Sequence, residues 1–233
     1  MNRKRDNIGG SERRARETSV SQEDYLKAIY NMQVELQDPI SARLSEALGV
    51  TPPAVTTALK RMERRGHVRL DHKTGRIRLT PKGRAIAQSL ALRHRLIEKL
   101  LTDVLGMDWK LVHAEAEKLE HAISRELERR LLDYFGRDGS CPHGNPLIGG
   151  AAKLRRQGAK PLAQARPGEK LRVIRVAERD AAFLEFIDRL GLRPGTEINI
   201  VEKTFDETVT LAVGRRRHHL GKSSTDRIWV KKV

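Results

Sequence analysis

One segment in the first third of the chain constrains its fold most. Residues 67–80, HVRLDHKTGRIRLT, form two short runs in which apolar and basic residues alternate, with Gly75 in the turn between them. Two alternating runs on either side of such a turn predict a β-hairpin. The preceding residues 51–66, TPPAVTTALKRMERRG, predict a helix, because Thr51 can act as its N-cap, prolines follow in the first turn and Gly66 ends the pattern.

Two further helices are predicted before this pair. The first starts after Ser19 or Ser21, where apolar residues recur at helical spacing in SQEDYLKAIYNMQVEL, and the second covers residues 41–50. The order helix, helix, turn, helix and basic hairpin predicts a winged helix-turn-helix domain over residues 19–83. In such a domain the helix that begins at Pro52 is placed to enter the major groove of DNA.

Three helical patterns follow, over residues 81–106, 108–124 and 124–136. Their apolar stripes are wider than a pair of solvated helices leaves exposed, so we expect them to pack against a second copy of the chain. The sequence therefore predicts a helical dimerisation domain over residues 84–150 and a homodimeric protein.

The C-terminal third predicts a small β domain. Residues 137–170 are rich in glycine, proline and arginine and indicate a loop, with a linker over residues 151–165. The runs TEINIVEK, ETVTLAVG and DRIWVKKV predict a small SH3-like β-barrel over residues 166–233. Residues 1–18 contain few apolar side chains and are predicted to be a disordered basic tail. The expected fold class is mainly α with a small β domain.

The charge of the chain indicates a polyanionic partner. The sequence contains 46 Lys and Arg against 30 Asp and Glu, a net charge of +16, and residues 60–84 alone hold ten basic and two acidic side chains. Basic side chains gain affinity for nucleic acid by releasing counterions from phosphates. For the total charge, a composition that is arginine-rich for genomic reasons stays an open alternative.

Neither a membrane span nor a signal peptide is expected. No stretch approaches the roughly 18 consecutive apolar residues of a spanning helix, and the N-terminal residues MNRKRDNIGGSERRARETS lack an apolar core. We therefore expect a cytoplasmic protein without a membrane partner. The single cysteine, Cys141, excludes an internal disulfide, so a metal site would depend on histidines and carboxylates.

Histidines and carboxylates do cluster in the helical region. The candidates there are His94, Glu98, His113, Glu117, Glu120 and His121. Spacings of four, seven and eight residues from His113 place the last four on one helical face. Converging carboxylates repel unless a cation lies between them, and this donor set suits Mn, Fe, Co, Ni or Zn. An exposed face with salt bridges to Lys110, Lys118 and Arg125 is the alternative interpretation.

A resemblance adds to this reading. The run HRLIEKLLTDVLGMDWKLVHAEAEKLEHAISRELERRL, with the winged helix before it and CPHGNPLIG after it, resembles the diphtheria toxin repressor family of metal-dependent transcription regulators, which includes manganese transport regulators. The resemblance covers residues 20–150 and is weaker over the C-terminal barrel. It implies a homodimeric, metal-activated repressor that binds operator DNA and controls metal-uptake genes.

The resemblance also implies two sets of metal ligands. One set comprises Asp24, Glu117, Glu120 and His121, and an ancillary set comprises His94, Glu98 and His113. Asp24 and Glu117 stand where iron-type repressors carry Met and Cys, and such hard oxygen donors suit Mn(II) first and Fe(II) second. Lys27 stands where manganese regulators carry a further carboxylate. In the barrel, Phe183 cannot ligate, which leaves Asp180 as the expected contributor.

Asp24 lies on the DNA-binding domain in this reading, whereas its partner ligands belong to the dimerisation domain. One ion would then link the two domains and set the spacing of the two recognition helices near one DNA turn or a multiple of it.

The family's DNA-contacting positions are occupied by residues of compatible chemistry. The expected contacts are Ser41, Arg43, Thr51, Pro53, Ala54, Thr56, Thr57, Arg61, Arg64, Lys73 and Arg76. Small hydroxyl and methyl groups make few bidentate base contacts, so thymine methyls and DNA shape are expected to supply much of the preference. The basic residues are expected to contact phosphates. For any single arginine, a generic solvated role is an open alternative.

Two other classes of protein stay open at this point. Histidines and carboxylates on adjacent helices also build hydrolytic or di-iron enzymes, but HExxH and paired Glu-x-x-His motifs are absent, so an enzyme is not expected. A winged-helix regulator that responds to an organic effector or to oxidation of Cys141 is the second alternative. Cys141 and His143 would then be structural or would touch an accessory ion.

Overall fold

The computed structural model describes residues 22–35, 37–71 and 73–233. The predicted tail over residues 1–18 lies outside the described residues. The chain divides into two compact units, residues 1–91 and 92–233. No helix in the described part of the chain is long and apolar enough to cross a membrane.

The first unit has the predicted winged-helix order. Its elements are α1 (Gln22–Val34), α2 (Ser41–Leu48), α3 (Pro52–Arg64), β1 (Val68–Leu70) and β2 (Ile77–Leu79). The strands pair antiparallel, with Val68 opposite Leu79. Leu26, Ile29 and Leu44 are fully buried in its core. The middle of α1 is buried on all sides, from Tyr25 to Tyr30. The fold class predicted from the sequence is confirmed in this unit.

Local signals explain where these elements begin and end. Thr51 takes the N-cap position of α3 with extended backbone, and prolines follow in the first turn. α2 ends where Gly49 adopts a left-handed φ of 62°, a conformation that glycine adopts without steric cost. The wing turn is held by Asp71, whose Oδ1 accepts hydrogen bonds from the Lys73 and Thr74 amides at 2.9 and 3.2 Å.

Helices form the first part of the second unit. α4 (Pro81–Lys99) contains the division between the units and continues as a π-helical turn (Leu100–Val104), followed by α5 (Val112–Leu119) and α6 (Arg125–Phe135). The helix predicted over 108–124 is thus shorter, because turns precede and follow it. α6 begins where the Ser124 side chain accepts a hydrogen bond from the Leu127 amide at 3.1 Å.

The second unit ends in a barrel-like sheet. Its elements are α7 (Gly150–Arg156), β3 (Lys160–Pro161), a 3-10 turn (Leu162–Gln164), β4 (Lys170–Val176), α8 (Ala181–Arg189), β5 (Glu197–Lys203), β6 (Val209–Val213), β7 (Arg216–Leu220), α9 (Lys222–Thr225) and β8 (Ile228–Lys232). The six strands follow the order β3-β8-β4-β5-β6-β7 and every neighbouring pair is antiparallel. Leu171, Leu184 and Val209 are buried beneath the sheet.

The predicted linker over residues 151–165 needs correction. Most of α7 and all of β3 lie within it, and Lys160 on β3 pairs with Val230 on β8, so the sheet begins before residue 166. A two-residue strand is too short to show alternation, and the glycine- and proline-rich surroundings indicated a loop. β7 was also missed, because its sequence RRHHL shows no apolar alternation.

Candidate metal centre and DNA interface

A buried carboxylate surrounded by imidazoles lies in the second unit. Glu98 on α4 is 0 % exposed. Its Oε1 lies 3.0 Å from His94 Nε2, 3.1 Å from His113 Nδ1 and 3.3 Å from His143 Nδ1. His94 precedes Glu98 by one helical turn, whereas His113 comes from α5 and His143 from the loop after α6. The two candidate ligands His94 and Glu98 therefore meet in the core.

The second oxygen of Glu98 is the observation that points to a cation. Among the described residues, Glu98 Oε2 is buried and has no hydrogen-bond partner. Burial raises the pKa of Glu98, but the charge of His94 and hydrogen bonds from His113 and His143 hold it well below its usual range. A buried ionised oxygen without a partner is costly, so a bound cation would satisfy this atom.

Two groups of possible ligands share this carboxylate. His94, Glu98, His113 and Glu178 each offer a ligand atom within 4.8 Å of the others, and so do Glu98, Cys141, His143 and Glu178. We call the union of the two groups the enclosed cluster: His94, Glu98, His113, Cys141, His143 and Glu178. Its nitrogen and oxygen donors fit a first-row divalent metal.

The barrel contributes Glu178 rather than the expected Asp180. Glu178 follows β4 and lies 3.7 Å from His143 Nδ1. Asp180 instead caps α8 by accepting a hydrogen bond from the Phe183 amide at 3.0 Å, and it pairs with Arg227. An Asp directly before an apolar helical run is an N-cap signal, so the sequence already favoured this structural role. A carboxylate just after a buried strand was the corresponding signal for Glu178.

The loop that supplies Cys141 and His143 is fixed in place. Gly144 has a φ of 84°, and a Cβ there would lie 1.9 Å from the carbonyl oxygen of Ile174. His143 Nε2 lies 2.8 Å from the carbonyl oxygen of Trp109 and can donate to it, and the Val176 amide donates to the carbonyl of His143 at 2.9 Å. Holding Nε2 in this way directs Nδ1 toward the carboxylates.

The protonation of this loop follows from its neighbours. Burial lowers the pKa of His143, but Glu98 and Glu178 more than offset this effect, so its pKa is raised. Burial also raises the pKa of the Cys141 thiol well above its usual range, and the same two carboxylates raise it further. The thiol is therefore protonated at neutral pH.

A second set of predicted ligands is more open to solvent. We call Glu117, Glu120 and His121 the open group. The side chains of Glu117 and His121 are 52 % and 35 % exposed, whereas Glu120 is buried. Glu120 Oε1 lies 3.6 Å from His121 Nε2, and Glu117 Oε1 lies 3.7 Å from His113 Nε2.

His94 connects the open group with the enclosed cluster. Its Nδ1 lies 2.6 Å from Glu120 Oε2, and its Nε2 faces Glu98. The two nitrogens of one ring therefore contact a carboxylate of each set. A ligand or proton on one side of the ring fixes the tautomer, and hence the hydrogen bond, on the other.

The other predicted metal-related residues lie in the first unit. Asp24 is half-buried on α1, and Lys27, one turn later, is buried. The assignment of Asp24 as a metal ligand stays a prediction.

The predicted DNA-reading side chains lie on an exposed face of the first unit. On α3 the side chains at Thr51, Pro53, Ala54, Thr56, Thr57, Arg61 and Arg64 are exposed, whereas Val55, Leu59 and Met62 are buried. The hydroxyls of Thr56 and Thr57 donate to the carbonyls of Pro52 and Pro53 at 3.0 Å. Their methyl groups and the acceptor lone pairs of their hydroxyls can therefore contact a DNA base.

Basic and polar residues flank this helix. Arg43, Lys73 and Arg76 are exposed, and Ser41 is half-buried at the start of α2. Arg76 pairs with Asp38 at 3.0 Å, and Arg43 donates to the Asp38 carbonyl at the same distance. Both guanidinium groups are therefore held beside Asp38.

Family models match three parts of the chain. Residues 17–76 match the N-terminal DNA-binding domain of iron-dependent repressors, and residues 80–149 match their metal-binding and dimerisation domain. Residues 160–232 match the FeoA domain. These boundaries agree with the order of elements described above.

Individual proteins similar to this chain are also named as repressors. The diphtheria toxin repressor of Corynebacterium efficiens is 36 % identical over 193 residues, which is 78 % of this chain and 83 % of that protein. The iron-dependent repressor IdeR of Mycobacterium leprae is 40 % identical over 151 residues, 65 % of this chain and 64 % of that protein. A manganese-dependent transcriptional repressor in complex with manganese superimposes with a TM-score of 0.80 at 28 % identity, over 91 % of this chain and 100 % of the other.

Proposed function

Because the chain belongs to the diphtheria toxin repressor family of metal-dependent, DNA-binding transcriptional repressors, we propose that its corepressor is Mn(II), with Fe(II) as the second candidate. We further propose that it acts in the cytoplasm as a homodimer on the operators of metal-uptake genes. The observation that carries the metal proposal is the partnerless Oε2 of Glu98 amid converging histidines and carboxylates.

The donor set favours Mn(II) over softer cations. The proposed ligands of the first set are Asp24, Glu117, Glu120 and His121, which offer three carboxylates and one imidazole. Carboxylate oxygens suit Mn(II), whereas thiolate and thioether sulfurs suit softer ions. Fe(II) shares most of this preference, and the relatives include proteins named as iron-dependent and as manganese-dependent repressors.

The ancillary set is proposed to hold a second ion with a larger share of imidazole ligands. We propose that His94, Glu98 and His113 hold a second ion together with Glu178, whose ligand atoms lie within 4.8 Å of one another. A divalent cation supplies positive charge that offsets the repulsion between these carboxylates. Glu98 and Glu178 bring negative charge to this site, and each imidazole binds only as its neutral form.

The coupling of metal to DNA binding is proposed to depend on Asp24. This side chain lies on the first helix of the DNA-binding unit, so metal binding that involves it constrains that unit. A coupling free energy of about 1–3 kcal/mol, which is usual between allosteric sites, corresponds to a roughly 5–150-fold change in operator affinity.

Exposed apolar side chains support the homodimer. In the helical part of the second unit these are Val104, Leu105, Leu111, Leu119, Leu127 and Tyr134. Tyr134 is 73 % exposed and Leu105 63 %. Large apolar side chains concentrated in this way mark association surfaces, and this region matches a dimerisation domain. A C2 dimer would present two winged helices to two operator half-sites.

The DNA-binding proposal assigns two roles. The exposed residues of α3 read the major groove, chiefly through the methyl groups of Ala54, Thr56 and Thr57 against thymine methyls. Arg43, Arg61, Arg64, Lys73 and Arg76, with Ser41, contact phosphates. Sequence preference then depends strongly on DNA shape.

Metal titration of operator binding tests the proposal. Operator duplexes are first selected from random DNA with Mn-loaded protein. Binding is then measured at one fixed salt concentration against increasing Mn(II), Fe(II) under anaerobic conditions, Co(II) and Zn(II). Salt is fixed because it alone changes affinity by orders of magnitude.

We expect Mn(II) to activate binding at the lowest free concentration, followed by Fe(II). Activation by Zn(II) at a lower free concentration than either would contradict the choice of metal. Operator binding that is equally tight in chelator and in metal would contradict the corepressor proposal itself.

A further inference from the structure

A run of basic residues in the barrel has no acidic neighbours in sequence. Residues 208–225 contain Arg215, Arg216, Arg217 and Lys222 but no Asp or Glu. The three arginines occupy the turn between β6 and β7 and the start of β7, and all three are exposed. We call these three residues the arginine edge.

Within the described part of the chain, the side chains of the arginine edge make no ion pair or hydrogen bond. Other arginines of the same barrel do: Arg172 pairs with Glu197, Arg193 with Asp188 and Arg227 with Asp180. Lys222 pairs with Glu207. The positive charge of the arginine edge is therefore uncompensated locally.

The position of β7 in the sheet adds to this exposure. β7 is an outermost strand of the six-stranded order. Opposite Arg216 and Arg217 on β6 lie Val213 and Ala212, so no carboxylate faces either arginine across the strand pair. Successive residues of a strand point to opposite faces of the sheet, so consecutive arginines place positive charge on both sides of this border.

We propose that the arginine edge is a second nucleic-acid contact that binds the phosphate backbone of double-stranded DNA without sequence preference and without metal. Guanidinium groups are suited to phosphate oxygens, which they contact in a bidentate manner. A duplex presents phosphates at regular spacing, and the barrel belongs to a chain that already binds DNA through its first unit.

The surroundings of the arginine edge favour duplex DNA over other polyanions. Proteins that bind single strands stack the bases on aromatic side chains, and residues 208–225 contain no Phe, Tyr or Trp. Protein interfaces are anchored by buried aromatic or apolar residues. The exposed side chains of residues 214–219 are only arginine and histidine.

The test compares two pairs of substitutions in the full-length protein. R216Q/R217Q removes two uncompensated charges, and K170Q/R172Q removes two charges that pair with Glu197 on the same barrel. Binding of a fluorescent duplex without an operator is measured in chelator between 50 and 200 mM salt. Chelator keeps the test independent of the corepressor proposal.

Each phosphate contact contributes about 0.9 to the slope of log affinity against log salt. We expect R216Q/R217Q to reduce this slope by about 1.8, R215Q to reduce it by a further 0.9 or so, and K170Q/R172Q to leave it unchanged. R216K/R217K, which keeps the charges, should retain the wild-type slope, and thermal unfolding should be the same for all variants.

An unchanged slope in R216Q/R217Q would overturn the proposal. An equal reduction in K170Q/R172Q would also overturn it, because net charge would then explain the effect. If the arginine substitutions weakened only binding of single-stranded RNA or of polyglutamate, a different polyanion would be assigned to this surface.

Discussion

The enclosed cluster and the open group both contain histidines and glutamates, but the first is buried and the second is largely exposed to solvent. In the enclosed cluster Glu98 and His143 are both 0 % exposed, and the candidate ligands come from α4, α5, a fixed loop and the barrel. In the open group two of the three candidate ligands are at the surface, and all three lie at or near the end of α5. Histidines and carboxylates are therefore found in two different environments.

The two regions differ in what positions their side chains. The fold itself positions the enclosed cluster, because its side chains are packed and its loop is pinned to β4 through Gly144. In the open group the side chains of Glu117 and His121 are exposed rather than packed, so a bound cation would contribute more to its geometry. A group that reorganises on binding is the better place for a switch.

The largest effect is expected on the free energy of unfolding, which should depend on the enclosed cluster and not on the open group. Glu98→Gln removes the buried charge that the surrounding imidazoles balance, and breaking a buried ionic group costs about 3–5 kcal/mol of unfolding free energy. Glu117→Gln at the surface should change it by less than about 0.5 kcal/mol. Urea unfolding in chelator is followed by tryptophan fluorescence, since Trp109 and Trp229, the only two tryptophans, both lie in the second unit.

Similar unfolding free energies for the two variants would show that the enclosed cluster is not structural. A second measurement separates stability from metal binding. Saturating Mn(II) should raise the midpoint of the wild-type transition and should raise that of Glu98→Gln less.

Operator binding tests whether the open group acts as the metal-dependent switch. Glu120→Ala should remove the metal-dependent part of operator affinity, a loss of roughly 5–150-fold. Glu115→Ala on α5, where Glu115 pairs with Lys118 at 2.7 Å, is the matched control and should respond to Mn(II) as the wild type does. Metal-dependent binding that survives in Glu120→Ala would contradict the assignment of the switch.

The sequence predicted the elements of the first unit because each has local signals. Thr51 and the following prolines mark a helix start, Gly49 marks a helix end, and alternation around Gly75 marks a hairpin. The convergence of His94 and Glu98 was predictable from their four-residue spacing, which is a property of one helix.

Sequence signals were insufficient where contacts are long-range. Glu178 is 80 residues from Glu98 in the chain, and only the packing of the barrel brings it to the enclosed cluster. Its position just after a buried strand and the capping signal of Asp180 are the only local differences between these two carboxylates, and neither specifies a contact with Glu98. The burial of Glu120 beside the exposed Glu117 is likewise a consequence of packing that helical periodicity does not specify.

Substitutions of His94 test whether its ring connects the open group with the enclosed cluster. Asn places an amide nitrogen near the position of Nδ1, which faces Glu120, whereas Gln places it near Nε2, which faces Glu98. Loss of a hydrogen bond that orients a ligand typically lowers metal affinity 10–100-fold. We expect His94→Gln to raise the Mn(II) concentration at half-maximal operator binding by that factor and His94→Asn to raise it less.

Equal shifts for the two variants would show that the ring acts as a ligand alone and does not transmit from one side to the other. A larger shift for His94→Asn would show that the contact with Glu98 matters more than the contact with Glu120. Equal shifts would require the two regions to be described as independent sites, and a larger shift for His94→Asn would assign the metal response to the enclosed cluster.

The smallest effect is expected at Cys141, which also decides between metal sensing and redox sensing. The buried thiol lies 4.0 Å from His143 Nδ1, and its raised pKa keeps it protonated and weakly nucleophilic. We expect iodoacetamide at pH 8 to leave Cys141 unmodified in the folded protein and to modify it in urea. Cys141→Ser should leave the Mn(II) response of operator binding unchanged, since that response is assigned to the open group. Loss of operator binding on mild peroxide treatment of the wild type, but not of Cys141→Ser, would instead make the enclosed cluster the sensor and reverse the comparison.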